Sequence, residues 1–252
     1  MEKHIFIKNL KFLVGSYNEV KDEVLRQTAS KRSLIVLPCS LNDVASTSLY
    51  PKLKTYYRRI DMCTTDGVPL VWWATLQTKS KIERVYGPNL TKSILIDTQG
   101  VRFRHVFCGS STTRLKKLVD RVLAFAPNVN IVGLFSPKIQ LKATKEEKVC
   151  LKKIIKCAPS ILWFGISSPK QVVLAARWKR YLPHTAFFCV GAALDLISGE
   201  IPVAPRWMQY LGLEWLFRLM VEPRRLYKRY LFVIPRFLLH EALTWLKGYF
   251  FF

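Results

Sequence analysis

One acid sits among small and apolar residues, Asp66 in Thr64-Thr65-Asp66-Gly67-Val68-Pro69-Leu70-Val71-Trp72, and Arg84 follows in Glu83-Arg84-Val85-Tyr86-Gly87. A carboxylate at a loop-to-helix junction can take a proton as general base, and an arginine a short distance on can hold an anion through forked hydrogen bonds. Together they outline a transferase that handles an anionic substrate. The acid also has a plainer reading. Thr64, Thr65 and Asp66 are all N-cap types, and the apolar run 68–76 that follows suits a largely buried helix. This segment alone leaves both readings open.

Other reactive side chains offer less. His4, His105, His184 and His240 have no acid or cysteine at a useful spacing; His105 and His184 read as strand-edge residues and the other two as surface groups. Cys39, Cys63, Cys108, Cys150, Cys157 and Cys189 fall mostly in apolar stretches without Cys-x-x-Cys or finger spacing, which predicts reduced core residues. Gly109-Ser110-Ser111-Thr112-Thr113 offers amides and hydroxyls to a phosphate, but it lacks the Gly-Lys-Ser/Thr ending of a P-loop, and an ordinary capped turn is the stronger reading.

The elements that must position these groups show in the periodicity. Short apolar runs at 34–37, 105–108, 130–134, 161–166 and 186–190 predict buried strands, and helical periodicity marks 112–125, 144–157 and 169–181. Alternation of strand and helix predicts an α/β fold with a mainly parallel sheet. In such sheets ligands bind beyond the carboxyl ends of the strands, which makes the loops 38–42, 109–112, 165–171 and 191–195 the candidate lining.

The 252 residues are enough to bury a substantial core, and 50% hydrophobic content argues against disorder. A formal charge of +23, from 40 Lys and Arg against 17 Asp and Glu, implies a polyanionic partner: nucleic acid, a phosphorylated substrate or an anionic membrane. No apolar stretch reaches the roughly 18 residues of a spanning helix, and Met1-Glu2-Lys3-His4 opens no secretory signal, so a cytoplasmic, at most peripheral, chain is expected. The character changes after Pro202, where Arg206, Arg218, Arg224, Arg225, Lys228, Arg229 and Arg236 interleave with Trp207, Trp215, Phe217, Tyr227, Tyr230, Phe232 and Phe237. We divide the chain into an α/β core, 1–201, and a basic aromatic appendage, 202–252. The appendage suits an amphipathic segment on an anionic membrane; the alternative is a helix packed on the core with a solvated basic face.

Several stretches in order resemble the WecG/TagA/CpsF family of bacterial glycosyltransferases over most of the chain. They are Thr65-Asp66-Gly67 with Glu83-Arg84-Val85-Tyr86-Gly87; Phe164-Gly165 with Pro169-Lys170-Gln171; Val190-Gly191, Leu194-Asp195, Ser198-Gly199 and Ala204-Pro205; and Leu211-Gly212-Leu213-Glu214-Trp215, Arg218, Glu222-Pro223-Arg224-Arg225-Leu226 and Arg229-Tyr230. The resemblance implies a Rossmann-like core and an inverting hexosyltransferase. Such an enzyme moves a sugar from a UDP-sugar to a polyprenyl-diphosphate-linked saccharide at the cytoplasmic face of the membrane, in surface-polysaccharide synthesis.

It further implies Asp66 as general base and Ser40, Asn42, Thr65, Arg84 and Gln171 as donor-site residues. Arg218, Arg224, Arg225, Lys228 and Arg229 would reach the diphosphate or the membrane. No Asp-x-Asp occurs, so arginines in place of a metal are expected to neutralise the leaving diphosphate. Val172, Val203 and Asn89 stand where the family carries charged residues, which puts donor choice in question. Two other readings compete: a non-catalytic membrane-bound scaffold of a polysaccharide assembly, motivated by those lost charges, and a nucleic-acid-binding protein, disfavoured because the basic residues are dispersed and no nucleic-acid motif is present. Donor sugar, acceptor saccharide and oligomeric state are not legible in the sequence.

Overall fold

The structure is a computed structural model that describes residues 4–109 and 111–250, without the side chains of residue 101 and of 245–250. An eight-stranded sheet with order β1-β2-β4-β3-β8-β7-β5-β6 forms its centre. The strands are β1 (His4–Ile7), β2 (Leu10–Leu13), β3 (Leu34–Cys39), β4 (Met62–Thr65), β5 (Gly100–Gly109), β6 (Val129–Phe135), β7 (Ile161–Gly165) and β8 (Ala186–Cys189). Only the β1–β2 hairpin is antiparallel; every other pairing is parallel.

Central strands buried on both faces need unbroken apolar sequence, and side chains alternate between the faces with period two. Ile35, Leu37, Leu162, Phe164, Phe187 and Cys189 accordingly enter one core, while Leu34, Val36, Ile161, Trp163, Ala186 and Phe188 enter the other. On the first face lie α2 (Leu41–Leu49), α3 (Pro51–Tyr57), α7 (Lys145–Lys156) and α8 (Lys170–Trp178). On the second lie α1 (Tyr17–Ala29), α5 (Gly87–Asp97), α6 (Thr112–Phe125) and α9 (Ala193–Ile197). The result is three layers, helix–sheet–helix, as the alternation of elements predicts.

The hairpin, β4 and the helices of 41–57 are not foreseen by periodicity, because each is short. His105 is not at a strand edge: it is fully buried in β5, between β6 and β7, where it stacks on Trp163 and accepts that indole's N–H at 3.2 Å. All six cysteines are free, and all but the half-buried Cys157 are buried.

The helix that follows Asp66, α4 (Val68–Thr78), departs from expectation in another way. Only Leu70 and Ala74 are buried, while Trp72 is 61% and Leu76 79% exposed. An apolar helix at the edge of the fold thus keeps an uncovered apolar face.

After residue 201 the regular structure among the described residues is all helical: α10 (Arg206–Tyr210), α11 (Glu214–Val221), α12 (Pro223–Lys228), a π-helical segment Arg229–Val233 and α13 (Ile234–Phe250). Phe237 of α13 is fully buried in the first core, and Lys8 in the hairpin turn meets Glu241 at 2.7 Å. Residues 218–233 thus lie over the carboxyl ends of the strands beside α2, while α13 runs down the first face toward the hairpin turn. Among the described residues no helix is long and apolar enough to cross a membrane.

Candidate active site

A cavity of about 720 Å³ opens beyond the carboxyl ends of β4, β3, β8 and β7, roofed by the C-terminal helices. Consecutive strands diverge around β3 and β8, so their loops part there and leave a crevice, the usual ligand position in such sheets. Its walls carry Ser40, Asn42, Asp66, Gln171, Arg218, Arg225, Lys228 and Arg229. Eight of the eleven sequence-expected residues, from both core and tail, meet here.

Asp66 ends β4. It is not the cap of α4: Gly67 occupies that position and makes no side-chain cap bond. The carboxylate turns to the start of α5 instead, where its Oδ1 accepts the Gly87 N–H at 2.7 Å. Burial raises its pKa above the ordinary aspartate value, opposed first by Arg84, then by the Gly87 N–H and Arg218, and reinforced by Glu214. A carboxylate held by one oxygen, desolvated and facing a cavity is suited to accept a proton.

Ser40 opens α2 in a capping box: Asp43 Oδ2 accepts from the Ser40 N–H at 3.0 Å and from its hydroxyl at 2.6 Å. Tyr57 donates to Asp43 Oδ1 at 2.9 Å, so this acid is fully engaged in holding the loop. Asn42 is buried at the wall. Gln171 ties two loops together, donating to Ser168 Oγ at 3.0 Å and accepting the Gly191 N–H at 2.9 Å.

From the roof, Arg229 donates to Ser40 Oγ at 2.8 Å. Glu222 accepts from Arg225 at 2.6 Å and lies 3.5 Å from Arg218. The Nε atoms of Arg218 and Arg229 are buried without an acceptor among the described residues. Buried guanidinium N–H groups cost free energy when unmatched, a cost that an anion in the cavity would relieve. Burial lowers the pKa of Arg225, opposed by Glu222, and that direction too is relieved by an anion beside it.

Three expected site residues lie outside the cavity. Thr65 is fully buried in β4, its hydroxyl donating to the Glu83 carbonyl at 3.1 Å. Arg84 is turned to the tail, where it pairs with Glu214 at 2.8 Å, and its Nε donates to the Asp66 carbonyl. Arg224 is exposed on α12. Thr65 and Arg84 thus contact other parts of the protein here and do not line the cavity.

The glycine turn after β5 also proves ordinary. Ser111 caps α6 by accepting the Arg114 N–H at 3.3 Å, and Ser110 lies outside the described residues. Val172 is buried in the first core, Asn89 and Val203 are exposed, and none of these lines the cavity.

Sequence reasoning missed Asp43, Tyr57, Glu214 and Glu222. For Asp43 the signal was present, an acid three residues after a capping serine. Glu214 and Glu222 are isolated acids in a basic tail, and only the fold reveals which arginines they meet.

The profile of the family described as Glycosyl transferase WecG/TagA/CpsF family matches residues 5–249. The chain is 27% identical over 182 residues to the N-acetylglucosaminyldiphosphoundecaprenol N-acetyl-beta-D-mannosaminyltransferase of Bacillus subtilis (strain 168), covering 72% of this chain and 67% of that protein. It is 23% identical over 175 residues to the protein of the same description from Bacillus spizizenii (strain ATCC 23059 / NRRL B-14472 / W23), covering 69% of this chain and 66% of the relative. The chain thus spans about two thirds of the length of these relatives. With sheet, cavity and sequence in agreement, the chain belongs to the WecG/TagA/CpsF glycosyltransferase family.

Proposed function

We propose that this protein transfers a hexosyl group from a UDP-sugar to a polyprenyl-diphosphate-linked saccharide, with inversion at the anomeric carbon and without a metal. The observation that carries the reading is the cavity itself, whose lining brings Asp66 together with Arg218, Arg225, Lys228 and Arg229, the Nε atoms of Arg218 and Arg229 being buried without an acceptor among the described residues. The names of the Bacillus relatives supply the acceptor class, a diphosphate-linked N-acetylglucosamine on a polyprenol.

In this mechanism the acceptor hydroxyl oxygen attacks the anomeric carbon and Asp66 takes its proton. The bond from that carbon to the diphosphate oxygen breaks, and UDP leaves with the electron pair. Negative charge grows on the diphosphate as the bond breaks, so the roof cations stabilise the transition state more than the ground state. Gln171 and Ser40 fix the loops against which the donor lies.

The acceptor's tail requires access to a bilayer, and the exposed surface suits one. Trp72 and Leu76 of α4, Trp207, Tyr210 and Leu211 at α10, and Leu231 and Phe232 beyond α12 are all exposed. Arg224 stands exposed near them in sequence, a pairing of cations and aromatics suited to an anionic headgroup layer. We therefore place the enzyme peripherally on the cytoplasmic leaflet.

The direct test presents purified protein with a panel of UDP-sugars and a polyprenyl-diphosphate-linked N-acetylglucosamine and follows UDP release and glycolipid formation. One UDP-sugar should support transfer with an inverted product linkage in the presence of a chelator. No transfer with any donor, together with no thermal stabilisation by UDP, would refute the reading.

A further inference from the structure

We propose that Glu214, with Arg84 and Tyr86, forms a latch between the tail and Asp66, which makes Arg84 and Glu214 positioning residues and not donor ligands. The proposal rests on Asp66 being the base.

The short segment 84–87 grips Asp66 twice. Arg84 Nε donates to the Asp66 carbonyl oxygen, and the Gly87 N–H donates to its carboxylate at 2.7 Å. The same segment grips the tail through one acid. Arg84 Nη2 pairs with Glu214 Oε2 at 2.8 Å, the Tyr86 hydroxyl donates to Glu214 Oε1 at 3.0 Å, and the guanidinium lies 4.4 Å over the Tyr86 ring. Both carboxylate oxygens of Glu214 are therefore occupied by core residues.

The core side of this chain is fixed. Val85 N donates to the Thr65 carbonyl at 3.0 Å, Glu83 N to the Gly15 carbonyl at 3.0 Å, and Glu83 accepts the Tyr17 N–H at 2.8 Å. The tail side is the start of α11, whose Arg218 stands one turn beyond Glu214 and reaches the cavity wall. None of Arg84, Tyr86 and Glu214 lines the cavity.

The side chains of Arg84 and Glu214 are 23% and 14% exposed, so removing one leaves a largely desolvated charge unmatched. One ion pair thus sets both the seat of α11, with Arg218, and the orientation of the Asp66 loop. Arg84, Glu214 and Arg218 are the charged groups facing Asp66, with the Tyr86 hydroxyl and the Cys39 thiol also near. Removing Arg84 takes away the first counterweight to burial, so the acid limb of the rate profile should move to higher pH.

The test uses the full chain, transfer kinetics and calorimetric binding of UDP. Glu214→Gln is expected to lower kcat roughly 10-fold to 100-fold, and the double variant Arg84→Met/Glu214→Gln to be no worse than the worse single one, since both break the same connection. UDP affinity should fall alike in Glu214→Gln and Arg84→Met, and by less than Arg218→Ala costs, because both variants loosen the seat of Arg218 while neither residue lines the cavity. Tyr86→Phe removes one hydrogen bond without altering charge and should cost about 3-fold to 10-fold in kcat, which keeps the test usable should Glu214→Gln fail to fold.

Hydrogen exchange should quicken at 214–221 in the Glu214 variant while the central strands stay protected. Unchanged kcat in Glu214→Gln, losses that multiply in the double variant, or weakened UDP binding confined to Arg84→Met would each overturn the latch, the last by making Arg84 a donor ligand. An Asp66→Asn enzyme that still transfers sugar would instead sink the base assignment, and the exchange data would report on the latch independently.

Discussion

Asp66 shows how burial and partners divide one carboxylate's work. Its folded-state pKa is raised, so its share of stability is full below the unfolded value and is lost as pH rises through the folded one; at neutral pH the ionised carboxylate is a cost to the fold. Asp66→Asn removes that cost and still offers an oxygen to the Gly87 N–H. The thermal midpoint at pH 7 should therefore be unchanged or higher while transfer falls roughly 100-fold to 10,000-fold. Near wild-type transfer in this variant would reduce Asp66 to a partner of the α5 start. In the roof, Arg218→Ala should weaken UDP binding markedly, since it deletes a cavity cation whose Nε has no acceptor among the described residues. Calorimetry with UDP reads this directly, and unchanged affinity would remove Arg218 from the donor site.

Within the elements, β5 carries a titration unrelated to catalysis. Burial lowers the pKa of His105 to about 4, only partly offset by its bond to the Thr98 carbonyl. A depressed histidine contributes stability that is complete above its unfolded value near 6.5 and is lost as pH falls toward the folded one. The loss over that window is about 3 kcal/mol, at roughly 1.4 kcal/mol per unit. Urea midpoints between pH 6.5 and 4 should thus fall in the wild type and fall less in His105→Gln, which starts lower but does not titrate. An equal slope in both would place the acid sensitivity elsewhere.

Across the whole molecule, net charge and exposed apolar surface act together. A charge of +23 draws the protein to any polyanion, while the uncovered Trp72, Leu76, Tyr210 and Leu211 favour a bilayer over a hydrophilic one. Removing the tail from 211 on would also take Phe237 out of the core and unroof the cavity, so exposed substitutions test membrane docking more cleanly. Tyr210→Glu with Leu211→Glu should cut sedimentation with phosphatidylglycerol vesicles and slow transfer to the lipid-linked acceptor, with UDP binding intact. Rising salt should release the wild type from the same vesicles, since exposed charges are screened beyond about 8 Å at physiological ionic strength. Vesicle binding unaffected by the double substitution would assign docking to another face.

Sequence alone determined the central strands, because a strand buried on both faces must be apolar throughout, and it determined the capped amphipathic helices α6 and α7 and the more deeply buried α8. It also carried the family resemblance in its short motifs, and that resemblance implied that Asp66, Ser40, Asn42, Gln171 and the basic tail belong together. It could not decide between base and cap for Asp66, because both call for the same residue before a helix; the bond to Gly87, 21 positions on, settles its partner. Nor could periodicity show that the apolar helix α4 lies uncovered at the edge of the fold, since hydrophobicity records what can be buried and not what is covered. Which cations reach the cavity was decided by the path of the tail: Arg225 and Arg229 line it while Arg224, adjacent in sequence, faces away. Arg84 joins Glu214 across 130 residues, a pairing that only the folded chain can make because no local pattern encodes which distant acid a buried arginine will meet.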